Sequence, residues 1–123
     1  YVEDIMHKGD EVPLVAESAL LSDALVEMSG KGLGMTGVVD QNKQLVGIYT
    51  DGDLRRTLAK RLSIDTPINA VMTPNPTTTT PDTLAAELVS IMKTKRISGV
   101  LVVNDGEVVG AVNMQDLLRA GVL

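Results

Sequence analysis

The chain has no cysteine, no phenylalanine and no tryptophan, and its only aromatics are Tyr1 and Tyr49, in a sequence of 123 residues. Without cysteine there is no disulfide, no thiol nucleophile and none of the usual zinc sites, as expected in a reducing compartment. Without large aromatic rings, the core must be packed by Val, Leu, Ile, Ala and six methionines, a supply that suits layered α/β structure. Basic residues are also in short supply. Eleven Lys and Arg against sixteen Asp and Glu leave a net charge of −5, which argues against non-specific nucleic-acid binding. The basic groups Arg55-Arg56, Lys60-Arg61 and Lys93-Lys95-Arg96 read as solvated helix ends, the alternative being that one of them faces an anionic ligand. No apolar run approaches membrane-spanning length and no signal peptide opens the chain. The first residue is Tyr1 rather than Met, as expected of a piece of a longer protein. A lone histidine, His7, with no second metal-ligand candidate, reads as a surface or loop residue. No Ser–His or carboxylate-pair arrangement stands beside it, so the chain is poorly equipped as an enzyme, with no catalytic residue and no metal site to name.

What the sequence does have is a repeat. Leu45-Val46-Gly47-Ile48-Tyr49-Thr50-Asp51-Gly52-Asp53-Leu54-Arg55-Arg56 recurs as Val108-Val109-Gly110-Ala111-Val112-Asn113-Met114-Gln115-Asp116-Leu117-Leu118-Arg119, and Ile5-Met6 recurs as Val71-Met72. A period of roughly 60 residues is too long for a solenoid, and two copies make no array. The pattern fits an α/β chain of two β-α-β-β-α repeats, 1–62 and 63–123 with a linker at about 63–67, packed through their sheets with pseudo-twofold symmetry. Any ligand site is expected near that axis.

The elements follow from periodicity. Pro13-Leu14-Val15 reads as a short edge strand, where Pro is tolerated. Leu21, Ala24, Leu25 and Met28 have helical spacing, and Gly30, Gly32 and Gly34 end that helix. Residues 35–39 and 44–49 are strands around the turn Asp40-Gln41-Asn42-Lys43, and 51–61 is a second helix. In the second copy, the run Thr77 to Thr80 reads as a β-branched strand, and Asp82 or Thr83 caps a helix with the stripe Leu84, Leu88, Ile91 and Met92. Residues 99–103 and 107–112 are strands joined at Asn104-Asp105-Gly106, and the last helix covers 113–120 with Gly121 as its stop.

Chemistry can sit at the strand-to-helix corner Gly47-x-x-Thr50-x-x-Asp53. Gly47 allows a close approach, the Thr50 hydroxyl sits at a helix start that favours phosphate, and Asp53 offers an acceptor for a ribose diol. The same Thr-x-x-Asp spacing is a capping box that needs no ligand. The second copy has Asn113 for Thr50 and keeps Asp116. Capping and ligand binding both remain open at this corner.

Met72-Thr73-Pro74, the helix ending at Met92, the strand Val100 to Val103, and Gly47-Ile48-Tyr49-Thr50-Asp51-Gly52-Asp53-Leu54 together resemble a tandem pair of CBS domains, a Bateman module, over essentially the whole chain. Leu33-Gly34-Met35-Thr36, Thr50 to Arg56 and Asn113 to Gly121 are similar, more narrowly, to the C-terminal CBS pair of bacterial arabinose-5-phosphate isomerases. The resemblance implies a cytoplasmic regulatory fragment whose partner is an N-terminal sugar isomerase domain. That domain would interconvert ribulose 5-phosphate and arabinose 5-phosphate, the entry to the lipopolysaccharide sugar Kdo. It also implies a homo-oligomer formed through CBS pairs, with no membrane or nucleic-acid partner. By position, the resemblance implies that Thr50 and Asp53 hold phosphate and ribose in the first half, and Asn113 and Asp116 in the second. Base contacts would come from Met35, Thr36 and Gly37, and from Ser98, Gly99 and Val100. The implied ligand is CMP-Kdo, CMP, AMP or ATP, with no bound cofactor. Gly52 and Gln115 stand where many relatives carry Arg before the Asp. The competing expectation is a structural CBS module that organises oligomers without a ligand.

Overall fold

Apolar runs broken by Gly and Asp turns fold here as short strands, each pair followed by a capped helix. The computed structural model describes residues 1–123. Its elements, in chain order, are β1 (Leu14–Ala16), α1 (Leu21–Lys31), β2 (Met35–Val39), β3 (Leu45–Thr50), α2 (Asp51–Ala59), β4 (Thr73–Pro74), β5 (Thr78–Thr79), α3 (Ala85–Lys95), β6 (Gly99–Asn104), β7 (Glu107–Asn113) and α4 (Met114–Arg119). Single 3₁₀ turns form at Val2–Asp4, Gly9–Glu11 and Ile68–Ala70. No helix is long and apolar enough to cross a membrane.

The strands form two mixed sheets, ordered β1-β2-β3-β4 and β5-β6-β7. In each, the first strand runs parallel to the second and the second antiparallel to the third. Both hairpins carry an irregularity at the same place, between Val38 and Val39 and between Val102 and Val103. The β6–β7 turn has positive φ at both Asp105 (52°) and Gly106 (82°), the combination a tight hairpin requires. This is the α/β class expected, with β-α-β-β-α running twice.

Two compact units are present, 13–76 and 1–12 joined with 77–123. The repeats read along the chain as 1–62 and 63–123 are therefore assembled across their ends. The opening segment packs with the second repeat, and the segment after α2 packs with the first. The physical reason is apolar burial. Val2 is fully buried in a cluster with Leu88, Met92, Val100, Val112 and Leu117. Ile68 is fully buried with Leu21, Ala24, Val38 and Tyr49. Backbone bonds fasten both segments: Val2 N to Thr83 O (2.8 Å) in one unit, and Leu21 N to Thr66 O (2.8 Å) and Ile68 N to Ala19 O (2.9 Å) in the other.

Several expected boundaries move. Gly30 lies inside α1, which ends at Gly32, a left-handed residue with φ of 72°. The helix expected over 51–61 stops at Ala59, because Arg61 takes a positive φ of 57°. Only Thr78 and Thr79 of the four-threonine run form a strand. Thr80 instead bonds Asp82 (2.6 Å) and Thr83 (2.9 Å) in the following turn. Those bonds take up the side chains expected to cap α3, so its N-cap is Leu84, with no side-chain cap bond. Strand β4 was not expected. It pairs Thr73 and Pro74 with Ile48 and Gly47 at the edge of β3.

Candidate functional site: two strand-to-helix corners

In the 13–76 unit, β3 turns into α2 at Thr50, which takes extended backbone and caps the helix. The Asp53 amide donates to Thr50 Oγ1 (3.3 Å), and Asp53 Oδ2 accepts from Thr50 N (3.0 Å) and Thr50 Oγ1 (3.1 Å). Asp53 Oδ1 accepts from Arg56 (2.6 Å) and from Thr73 Oγ1 (2.9 Å). Asp53 is 5% exposed, and each carboxylate oxygen meets two protein donors. Behind it, the Tyr49 hydroxyl bonds Thr57 Oγ1 (2.8 Å), which donates to Asp53 O (2.9 Å). Burial raises the Tyr49 pKa above its usual value of 10.0, with the bond to Thr57 opposing it.

The second unit repeats the corner with different donors. Asn113 caps α4, its Oδ1 accepting from Asp116 N (2.9 Å), while Asp116 Oδ2 accepts from Asn113 N (2.8 Å). Asp116 Oδ1 accepts from Arg119 (2.6 Å) and lies 2.8 Å from His7 Nε2. The other ring nitrogen, Nδ1, is 2.7 Å from Glu11 Oε1. His7 thus occupies the place that Thr73 has in the first corner. Where the sequence suggests a loop or surface residue, the structure puts its side chain at 23% exposure, in contact with a candidate site carboxylate. The repeat aligns Met6-His7 with Met72-Thr73, and the fold then places each beside the other repeat's corner.

The glycine expected to admit a ligand admits methionine. A Cβ on Gly47 would collide with Met72, and one on Gly110 with Met6 and the His7 carbonyl. Arg56, expected as part of a solvated helix end, and Arg119 each stand three residues after a corner aspartate. Both remain about two-thirds exposed, at 66% and 67%, yet each donates from one guanidinium nitrogen to Oδ1 of its Asp. The Asp-x-x-Arg spacing shared by both copies was the available clue.

The proposed base contacts fall beside the corners. Met35 lies opposite Thr50 in the β2–β3 ladder, and Gly99 lies opposite Asn113 in β6–β7. Asp51 N donates to Gly34 O (3.2 Å) and Met114 N to Ser98 O (3.0 Å), which closes each corner onto the strand start. Met35, Thr36 and Val100 are buried, Gly37 is buried within β2, and Ser98 is exposed. The Thr36 hydroxyl donates to Gly37 O (3.1 Å). Each unit thus unites a helix cap, a buried Asp, an Arg and the start of the neighbouring strand. A cavity of about 310 Å³ adjoins the first corner, lined by Arg56, Lys60, Leu62, Met72 and Thr73 among others.

A family model described as CBS domain matches residues 2–60 and again 68–123, so that nearly all of the sequence is covered. The chain belongs to the CBS domain family. This CBS pair is 48% identical over 124 residues to the arabinose 5-phosphate isomerase KdsD of Pseudomonas aeruginosa, and 44% identical over 123 residues to that of Escherichia coli K12. The alignments take in 99% of this chain and 38% of each relative, so the chain spans well under half the length of those enzymes. Among solved structures, the CBS domain pair of protein MJ0100 in complex with 5′-methylthioadenosine and S-adenosyl-L-methionine superposes with a TM-score of 0.86 at 31% identity, covering 98% of this chain and 94% of that one.

Proposed function

We propose that this CBS pair is a ligand-sensing regulatory module, serving an arabinose-5-phosphate isomerase whose catalytic domain lies outside the chain. One observation carries the reading. The same set of cap, buried carboxylate, arginine and facing strand start is built twice, at Thr50, Asp53, Arg56 and Met35, and at Asn113, Asp116, Arg119 and Gly99. Capping alone needs neither a buried Asp nor an arginine, since an exposed Ser or Asn caps a helix as well. Similarity to a CBS pair whose ligands carry adenosine supports a nucleoside-type ligand. CMP-Kdo offers a phosphate, a ribose and a further carboxylate, and stands with CMP, AMP and ATP as the set to test. The setting proposed is cytoplasmic. Association with a second copy is part of the same proposal, because Leu58, Leu62 and Ile64 remain 62%, 42% and 56% exposed.

Two observations favour a second reading, a structural module without a ligand. Both Asp53 oxygens are already engaged by protein donors, and Met72 fills the space over Gly47. A thermal-shift and calorimetry panel of CMP-Kdo, CMP, AMP and ATP separates the two. A ligand that binds only the folded chain raises the melting temperature. If none binds with a Kd below about 1 mM, the structural reading stands.

A further inference from the structure

We infer that His7 is a proton-operated latch: as imidazolium it ties the opening segment to Asp116 of α4 and to Glu11 at once, and as neutral imidazole it must release one of them. The geometry sets this up. Nδ1 is 2.7 Å from Glu11 Oε1 and Nε2 is 2.8 Å from Asp116 Oδ1, so both ring nitrogens face carboxylates. Only the protonated ring has two N–H donors; a neutral ring has one, leaving a lone pair against a carboxylate oxygen. Arg119 shares Asp116 Oδ1 with His7, and its positive charge works against protonation, while Glu11 and Asp116 work for it. The strand packed against this segment contributes backbone bonds, from His7 N to Ala111 O (2.9 Å) and from Ala111 N to His7 O (3.1 Å). Asp116 is 4% exposed at its side chain, so the bond it makes to His7 is shielded from water.

The first corner supplies an internal comparison. Thr73 occupies the equivalent place there and donates a hydroxyl to Asp53 (2.9 Å), a bond that does not change with proton activity near neutrality. The two corners therefore share one architecture but differ in proton sensitivity, and the difference lies in a single side chain. Burial lowers the His7 pKa, but its hydrogen bonds to Glu11 and Asp116, and the charges of both, outweigh that effect and raise it above 6.5. A raised histidine pKa adds stability that is fully present below the unfolded value and is lost as pH rises through the folded value.

His7 is the single histidine, so its ring protons can be followed without assignment ambiguity by proton NMR. The expected midpoint in the folded chain lies above 6.5, and Glu11→Gln moves it down. Glu11 is 71% exposed at its side chain, so that variant keeps the fold. His7→Thr, which copies the first corner, should flatten the pH dependence. Relative to it, the wild-type melting temperature should be higher at about pH 5 and lose that margin by about pH 8. A midpoint at or below 6.5, a midpoint unmoved by Glu11→Gln, or a margin over His7→Thr that is the same at both pH values would each overturn the latch.

Discussion

Thr79 of β5 is 6% exposed, and its Oγ1 is buried without a hydrogen-bond partner. It pairs with Val102, as Val15 of β1 pairs with Val38 at the matching register of the other sheet. The first repeat thus places an apolar branch where the second places a hydroxyl. Thr79→Val keeps the shape and removes the unsatisfied polar group, so it should stabilise the chain by about 1–2 kcal/mol in urea unfolding. Asp53→Ala should act the other way. It strands the Thr50 amide and the Thr73 hydroxyl and removes half of the capping box, at a cost of about 2 kcal/mol in the unliganded chain by the same measurement. Individual roles were the least legible part of the sequence. Four consecutive threonines announce a β-branched strand. Nothing local says that Thr79 turns into the core while Thr80 bonds Asp82 and Thr83. For His7 the partner is far along the chain, since Asp116 comes near only after the opening segment has packed on β7.

Secondary structure was mostly visible, because each element is announced by a local feature: alternation or an apolar run for the strands, helical spacing in α1 and α3, and the Thr50 and Asn113 caps for α2 and α4. Which segment completes which unit was not visible. Met6 and Met72 match each other in the repeat, yet in the fold each covers the glycine of a β strand, Met72 that of β3 and Met6 that of β7. Local sequence cannot choose between the two glycines, because the choice depends on where Val2 and Ile68 find apolar cover. The two glycine positions also differ in tolerance. The three atoms nearest a Cβ on Gly47 all belong to the Met72 side chain, which can change rotamer. A Cβ on Gly110 also meets the His7 carbonyl at 3.0 Å, which is backbone held by the bridge to Ala111. Gly47→Ala should cost about 1 kcal/mol and Gly110→Ala about 2–3 kcal/mol, with the second loss read as lower thermal and urea stability.

For the whole chain, duplication made both the α/β class and the place of the corners legible, since a motif that recurs at one spacing must recur in one structural setting. Occupancy of the corners is a different matter, because the residues that would meet a sugar also hold the helices together. Thr50 and Asn113 each accept a bond from the Asp amide three residues on, so truncating either weakens the unliganded protein by roughly 1 kcal/mol whether or not a ligand exists. A loss of stability therefore says nothing about binding. What distinguishes a site from a cap is the increment a ligand adds. For a ligand at a hundred times its Kd that increment is about 2.7 kcal/mol, and it shrinks only if the substituted group touches the ligand. Thr50 has a hydroxyl that can turn from Asp53 Oδ2 to a phosphate at the start of a nine-residue helix, whereas α4 after Asn113 has six residues and a weaker claim on an anion. With the best ligand of the nucleotide panel, the rise in melting temperature should therefore fall more for Thr50→Ala than for Asn113→Ala, each measured against its own unliganded baseline. An equal rise in both variants and the parent would assign the two residues to capping alone. A larger loss with Asn113→Ala would place the stronger corner in the second repeat.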